Sequence, residues 1–168
     1  MRDGRVVVRT ATPNDRELLS KLIASSYGEL AQGPYDPGTL AAALPLMSRA
    51  HPKLIASGTY YVAEIGGTAA GCGGWTMQKP GSDEIVDGVG HIRHFATHPA
   101  HMRKGIGGLL LDVCLAEARE AGIRTMMCQS TLPAEAFYAT AGFRRIGLIE
   151  VEMAPGVLLP AVEMQRSF

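Results

Sequence analysis

The sequence predicts an α/β fold, a mixed sheet with helices on its faces. Three observations predict it. Short β-rich runs alternate with stretches whose apolar residues recur at three and four positions. Glycine or proline punctuation joins neighbouring runs as tight turns, and one long helical stretch separates two strands in the middle of the chain.

Taken in order, Arg5 to Thr10 (RVVVRT) reads as the first strand. Thr12 or Asn14 caps a helix in which Leu18, Leu19, Leu22 and Ile23 share one face, fading near Tyr27. GELAQGPYDPG reads as a loop, and Thr39 to Ala50 as a second helix that Pro45 is expected to kink or split. From Thr59 to Gln78, two strands meet at Gly66-Gly67, a hairpin signal. KPGSDEIVDG is a loop, and Gly90 to Thr97 a strand that Pro99 stops. Ile106, Leu109, Leu110, Val113 and Cys114 place a helix over about Gly105 to Ala121, closed by Gly122. Thr125 to Thr131 shows little alternation, as expected of a strand covered on both faces. Pro133 opens a short helix ended by Gly142, and two strands around Pro155-Gly156 complete the chain.

With 168 residues, 46% of them hydrophobic and 19% charged, the expectation is one domain over residues 1–168 with a sizeable core. Sixteen basic residues balance sixteen acidic ones, so no global field draws the chain to nucleic acid or an anionic membrane. The opening MRDGRVVVRT lacks the apolar core of a signal peptide and no apolar run is long enough to cross a bilayer, so a cytoplasmic protein is expected. Cys72, Cys114 and Cys128 have neither zinc-site spacing nor an even count suited to disulfides, and read as reduced, mostly buried thiols with no metal.

The stretch HMRKGIGGLL puts Arg103 and Lys104 at a helix N-terminus, against the positive end of the macrodipole, at a cost of roughly 0.3 to 1 kcal/mol each when exposed. No Asp or Glu occurs between Asp87 and Asp112 to offset them. A bound anion would. Gly105, Gly107 and Gly108 let the backbone close on such a ligand, and the unpaired amides of the first turn point at it, so a phosphate fits. The residues also allow glycines that serve tight packing alone, with solvated cations. Two nucleotide signatures are excluded. A P-loop needs Lys-Ser/Thr after its last glycine, where this chain has Ile106, and the dinucleotide fingerprint needs a small residue where Leu110 stands.

Together with its neighbours this turn resembles the GCN5-related N-acetyltransferases. Three segments carry the resemblance: RTATPNDRELLSKL as opening strand and helix, FATHPAHMRKGIGGLL as strand, loop and CoA-pyrophosphate turn, and STLPAEAFYATAGF as the thioester-side helix. The resemblance implies an α+β, mostly antiparallel sheet of about seven strands with helices on both faces, whose two central strands splay to admit pantetheine. It implies acetyl-CoA as co-substrate, an amine acceptor that is a small molecule or a protein, no nucleic-acid or membrane partner, and is compatible with a homodimer. It also implies that Phe95, Ala96 and Thr97 pair with pantetheine, that Met102 to Gly108 hold the diphosphate, and that Thr131 stands where relatives often carry Asn. The family's Gln/Arg-x-x-Gly-x-Gly/Ala pattern has a polar residue where this chain has Met102, so the grip rests on the amides around Arg103, Gly105, Ile106, Gly107 and Gly108 and on the charges of Arg103 and Lys104.

Acetyl transfer needs a neutral amine, a stabilised oxyanion and a proton for the departing thiolate. An alkylammonium is neutral in only about one part in a thousand at pH 7, so a base is useful. Strand alternation puts His91, Arg93, Phe95 and Thr97 on one face and His94 on the other. By resemblance His91 stands where relatives carry a base; on the residues alone it reads equally as a half-buried histidine bonded to backbone. The Phe95 amide is the candidate to polarise the thioester carbonyl. By resemblance the Tyr138 hydroxyl protonates the thiolate, against an ordinary core tyrosine. His94 reads as packed, and His98 and His101 as solvated. For the acceptor, the loops and Trp75 nominate Tyr35, Asp36, Trp75, Asp83 and Glu84 as ammonium contacts. An idle acyl-CoA-binding sensor on the same scaffold is the alternative function, and a nucleotide-binding module a third.

Overall fold

The computed structural model describes residues 5–168; Met1 to Gly4, part of the opening segment read for a leader, lie outside it. Seven strands form one sheet: β1 (Val6–Thr10), β2 (Tyr60–Ile65), β3 (Thr68–Thr76), β4 (Val89–Thr97), β5 (Thr125–Ser130), β6 (Arg144–Ala154) and β7 (Val157–Ser167). Their spatial order is β1-β2-β3-β4-β5-β7-β6. Every pairing is antiparallel except β4 with β5. That parallel pair needs a crossover, and α4 (Ile106–Glu120) supplies it.

Local chemistry accounts for the turns. Gly66 and Gly67 both have positive φ (58° and 79°), as a two-residue hairpin loop between Ile65 and Thr68 requires. Gly122 follows α4 at φ 89°. Helix α1 (Arg16–Gly28) is preceded by a 3-10 turn, Pro13–Asp15, and α2 spans Pro37–Met47. Helix α2 begins two residues before the predicted Thr39 and continues through Pro45, which neither splits it nor ends it at once. Its first residue is proline, which has no N–H to leave unpaired there. Part of the expected loop, Glu29–Gln32, is instead a 3-10 turn, and a one-turn helix α3 (Pro52–Ile55) was not legible in so short a segment. Helix α5 spans Glu135–Thr140.

The sheet separates distinct packing layers. On one face, α1 lays Leu19, Leu22 and Ile23 over Tyr60, Val62, Cys72 and Ala96. Near β7, α2 adds Leu40, Ala43 and Met47. On the other face, α4 buries Ile106, Leu110, Leu111, Cys114 and Leu115 against Tyr61, Trp75, Ile92 and Met126. Each fully buried Leu or Ile contributes about 1.5 to 3 kcal/mol. All three cysteines are free and buried, and burial pushes each thiol up to about 12.

One ion-pair cluster pins α1 to the sheet edge. Arg9 Nη1 and Nη2 donate to Asp15 at 2.8 and 2.7 Å, the Thr12 N–H donates to the same carboxylate at 2.7 Å, and Arg9 Nε pairs with Glu64. These bonds, Arg9 foremost, lower the Asp15 pKa from 3.8 to about 2. A carboxylate depressed in this way stabilises the fold above pH 3.8 and loses its contribution as pH falls toward 2. Urea unfolding at stepped pH is therefore expected to lose up to about 2 kcal/mol across that window, and Asp15→Asn to flatten that part of the profile.

Candidate active site

The site grows from a break in the sheet. The β4–β5 ladder runs through Val89↔Thr125, Gly90↔Met126 and His91↔Met127 and goes no further, while β5 stays paired to β7 as far as Ser130↔Val162. Beyond His91 the two central strands diverge. On its other edge β4 carries a bulge: Arg93 to Ala96 takes three steps where the facing Gly74 to Cys72 takes two. The extra residue is His94, held at φ 51°.

This bulge corrects the predicted facing of β4. His91 and Phe95 do not share a face. Ile92 and Phe95 both pack on the α4 side, while His94 and Ala96 turn toward the α1 side, because one inserted residue reverses the alternation beyond it. The Phe95 ring has room there because Gly73 lies beneath it; a Cβ on that glycine would come within 2.5 Å of the ring. His94 is packed, as expected. Its Nε2 lies 2.8 Å from the Met47 carbonyl, which can only accept, so that nitrogen carries the proton. Burial depresses its pKa to about 4.

Tyr138 lies inside the gap. It lines a cavity of about 70 Å³ with Tyr27, Ile92, Phe95, Cys128 and Thr131. Its ring is fixed edge-on by Phe95 (centroids 6.3 Å), Phe137 (4.9 Å) and Phe143 (5.7 Å), and its hydroxyl meets the Cys128 thiol. Burial, the dominant cause, raises its pKa well above 10, so the phenol keeps its proton.

A larger cleft of about 260 Å³ opens beside it and shares Ile92, Cys128 and Gln129 with the first. His91 lines it together with Lys79, Glu84, Met127 and Glu163. The His91 pKa is lowered, first by burial and then by Arg93 and Lys79, with Glu84 opposing. Its ring is therefore neutral at pH 7. No side-chain hydrogen bond ties that ring to backbone among the described residues. Strand β5 is also corrected: Met126, Cys128 and Ser130 are buried while Met127 is half-buried and Gln129 exposed, so only one of its faces is covered, the other bordering this cleft. Cys128, Gln129 and Glu163 were missed by sequence reasoning. The alternation of Glu163 and Gln165 with buried Val162 and Met164 was the available signal.

At the mouth of α4, Gly105 is the N-cap at φ 75° and Arg103 adopts φ 63°. The first i→i−4 bond of the helix runs from the Leu109 amide to the Gly105 carbonyl at 3.0 Å, so the amides of Ile106, Gly107 and Gly108 have no carbonyl one turn back. Met102, Arg103, Lys104 and Gly105 are exposed, whereas the Ile106 side chain is core. Lys104 Nζ lies 3.2 Å from His101 Nδ1, and neither Arg103 nor Lys104 has a carboxylate partner among the described residues. A Cβ on Gly105 would meet nothing within 4 Å, so the cradle is open, while one on Gly107 would come 3.1 Å from the Phe137 ring. These residues fit a diphosphate. Phe137 thereby links the turn to Tyr138, its neighbour on α5. His98 is not simply solvated: its Nδ1 accepts from the Ala100 amide at 3.1 Å and caps the turn Pro99–His101.

Three acceptor candidates are corrected. Trp75 is 4% exposed within the α4-side core, out of reach of any ammonium. The Tyr35 hydroxyl is committed, donating to the Pro160 carbonyl at 2.7 Å and accepting from the Leu132 amide at 3.0 Å. Asp36 caps α2 by accepting from the Thr39 amide at 2.9 Å. Glu84 does line the cleft, whereas Asp83 is exposed in the same loop. Among the described residues no group of three or more His, Cys, Asp or Glu could hold a metal ion, and no helix is long and apolar enough to cross a membrane.

A splayed parallel pair, a buried phenol in the gap and an open glycine cradle at the crossover helix together define an acyl-CoA transferase scaffold. The model of the acetyltransferase (GNAT) family matches residues 25–143, and the chain belongs to that family of N-acetyltransferases. No curated protein matches it. Among solved structures it is similar to a GCN5-related N-acetyltransferase of Rhodopseudomonas palustris (19% identity, 100% of this chain and 98% of that one, TM-score 0.77). It is also similar to the PaiA N-acetyltransferase of Thermoplasma acidophilum in complex with coenzyme A (14% identity, 98% and 99%, TM-score 0.72). The N-acetylglutamate synthase of Neisseria gonorrhoeae, complexed with coenzyme A and N-acetyl-glutamate, shares the fold over 36% of its length (19% identity, 99% of this chain, TM-score 0.63).

Proposed function

We propose that the protein transfers the acetyl group of acetyl-CoA directly to a primary amine. The observation that carries this reading is the gap beyond His91 and Met127, with a neutral imidazole in the cleft on one side and a protonated phenol in the cavity on the other. The amides at Gly105 to Gly108 and the cations Arg103 and Lys104 hold the diphosphate, and the edge of β4 that β5 leaves unpaired, where the Phe95 carbonyl accepts from Tyr27 and the Thr97 amide donates to Ser26, holds the pantetheine arm. His91 takes a proton from the acceptor's ammonium, through water where the amine stands off, and the neutral amine then attacks the thioester carbonyl. The Phe95 amide donates to the carbonyl oxygen as it gains charge, and Tyr138 gives its proton to the departing thiolate.

Direct transfer is favoured over an acetyl-enzyme. Among the described residues the only thiol in the gap is Cys128, and burial pushes it up to about 12, leaving almost no thiolate at neutral pH. The acceptor is an amine small enough to enter the cleft, or a chain end or side chain presented to it. Coenzyme A release, followed over a panel of amines, tests the reading: release dependent on an amine supports it, and binding without release rejects it. For His91, the lowered pKa sets the direction of the pH profile. Activity is expected to fall on the acid side with an apparent pKa below 6.5, and His91→Ala to lose that limb. An unchanged limb in the variant would remove His91 from the proton path.

A further inference from the structure

The bulge of β4 is held by groups that acetyl transfer does not itself employ. His94 adopts φ 51°, a conformation that costs a non-glycine residue free energy and persists only where its surroundings impose it. Three anchors do so. The His94 ring bonds the Met47 carbonyl at the end of α2 at 2.8 Å. The Tyr27 hydroxyl, from α1, donates to the Phe95 carbonyl at 3.0 Å. The Tyr60 hydroxyl, from β2, donates to the His94 carbonyl at 2.7 Å and also lies 3.2 Å from Cys72 Sγ.

The third anchor sets a direction. No described peptide bond is cis, so the His94–Phe95 peptide is trans and planar, and its N–H points opposite to its C=O. Tyr60 is buried in the α1-side core with Leu19, Leu22 and Ile23. A carbonyl drawn toward that core turns the Phe95 N–H away from it, to the side on which the Phe95 ring meets Tyr138. We infer that Tyr60 is a positioning residue: by holding the His94 carbonyl it aims the Phe95 amide at the thioester carbonyl oxygen. The inference rests on the reading above that this amide is the donor. Tyr60 touches no reacting atom, and its contribution is a fixed peptide plane, so that the donor need not reorient as charge develops.

The thioester carbonyl stretch of acetyl-CoA labelled with ¹³C at the carbonyl, measured by difference infrared spectroscopy on the 168-residue chain without acceptor, tests this. In the wild type the band is expected at lower wavenumber than for free acetyl-CoA, and in Tyr60→Phe it returns toward the free position. The variant's kcat falls roughly tenfold, less than the 10²-fold or more expected on outright loss of such a donor, with the KM for acetyl-CoA unchanged. Leu22→Val thins the same core away from the bulge and keeps both band and kcat; 3-fluorotyrosine at position 60 keeps the donor and likewise keeps both. A shifted band and full kcat in Tyr60→Phe would overturn the inference and leave the donor reading intact. So would loss of the band in Leu22→Val or in the fluorotyrosine protein. A wild-type band identical to that of free acetyl-CoA would instead overturn the Phe95 donor itself.

Discussion

Tyr138→Phe is expected to lower kcat by about 10²-fold or more while leaving the KM for acetyl-CoA within about twofold. The substitution removes one oxygen and keeps the ring, so the edge-on contacts with Phe95, Phe137 and Phe143 that shape the cavity survive. Losing the contact with the Cys128 thiol costs on the order of 1 kcal/mol of stability, too little to unfold the chain. The lost rate belongs to protonation of the departing thiolate, for which the neutral phenol in the gap is the donor at hand. Because burial raises the Tyr138 pKa well above its ordinary value, the donor stays protonated across the working pH range, so the deficit is flat with pH. It narrows for a synthetic thioester whose thiol is more acidic, since such a leaving group departs without help. Steady-state kinetics with both donors measures this, and a variant with undiminished kcat removes Tyr138 from the reaction.

The position of Tyr138 in the gap illustrates what was legible in the sequence. Features written in local chemistry were readable: paired glycines of the hairpin at Gly66 and Gly67, the glycine turn that opens α4, the apolar face of α4, and the short helix carrying Tyr138 between Pro133 and Gly142. The facing of Phe95 was not readable, because it depends on one residue of register set by a histidine in a conformation that histidine seldom adopts. Its cause is tertiary. The anchors of the bulge come from Tyr27, Met47 and Tyr60, at least 34 positions away along the chain. Gly73 and Gly74 opposite the bulge were the only local trace.

The acceptor side failed for a related reason. An aromatic ring, a phenol and a carboxylate near a presumed cleft look alike in a sequence whether they face it or serve the scaffold. Trp75 went to the core, Tyr35 to two backbone groups and Asp36 to a helix cap. What lines the cleft instead, Lys79, Gln129 and Glu163, comes from a loop and two strands that only the sheet order brings together. The charge balance around His91 follows from that assembly: Lys79 lowers its pKa and Glu84 raises it.

Gly105→Val is expected to weaken coenzyme A binding about 10- to 100-fold, equivalent to roughly 1.4 to 2.8 kcal/mol. Gly105 sits at φ 75°, where a β-branched residue costs roughly 1 to 3 kcal/mol. Nothing lies within 4 Å of the Cβ position, so no clash opposes the side chain, and the strain is instead relieved by rotation of the backbone. That rotation swings the amides at the start of α4 out of the cradle. Part of the strain is felt without ligand and appears as a lowered melting temperature; the lost amides appear only in the further rise that coenzyme A produces. Thermal unfolding with and without the coenzyme therefore separates the two. Gly105→Asn, whose side chain tolerates the left-handed region, is expected to recover much of the affinity. Met102, exposed where the family pattern carries a polar residue, offers no side-chain hydrogen-bond donor, so the loss expected at Gly105 is large. Isothermal calorimetry giving equal dissociation constants for wild type and Gly105→Val would mean that the diphosphate is held elsewhere.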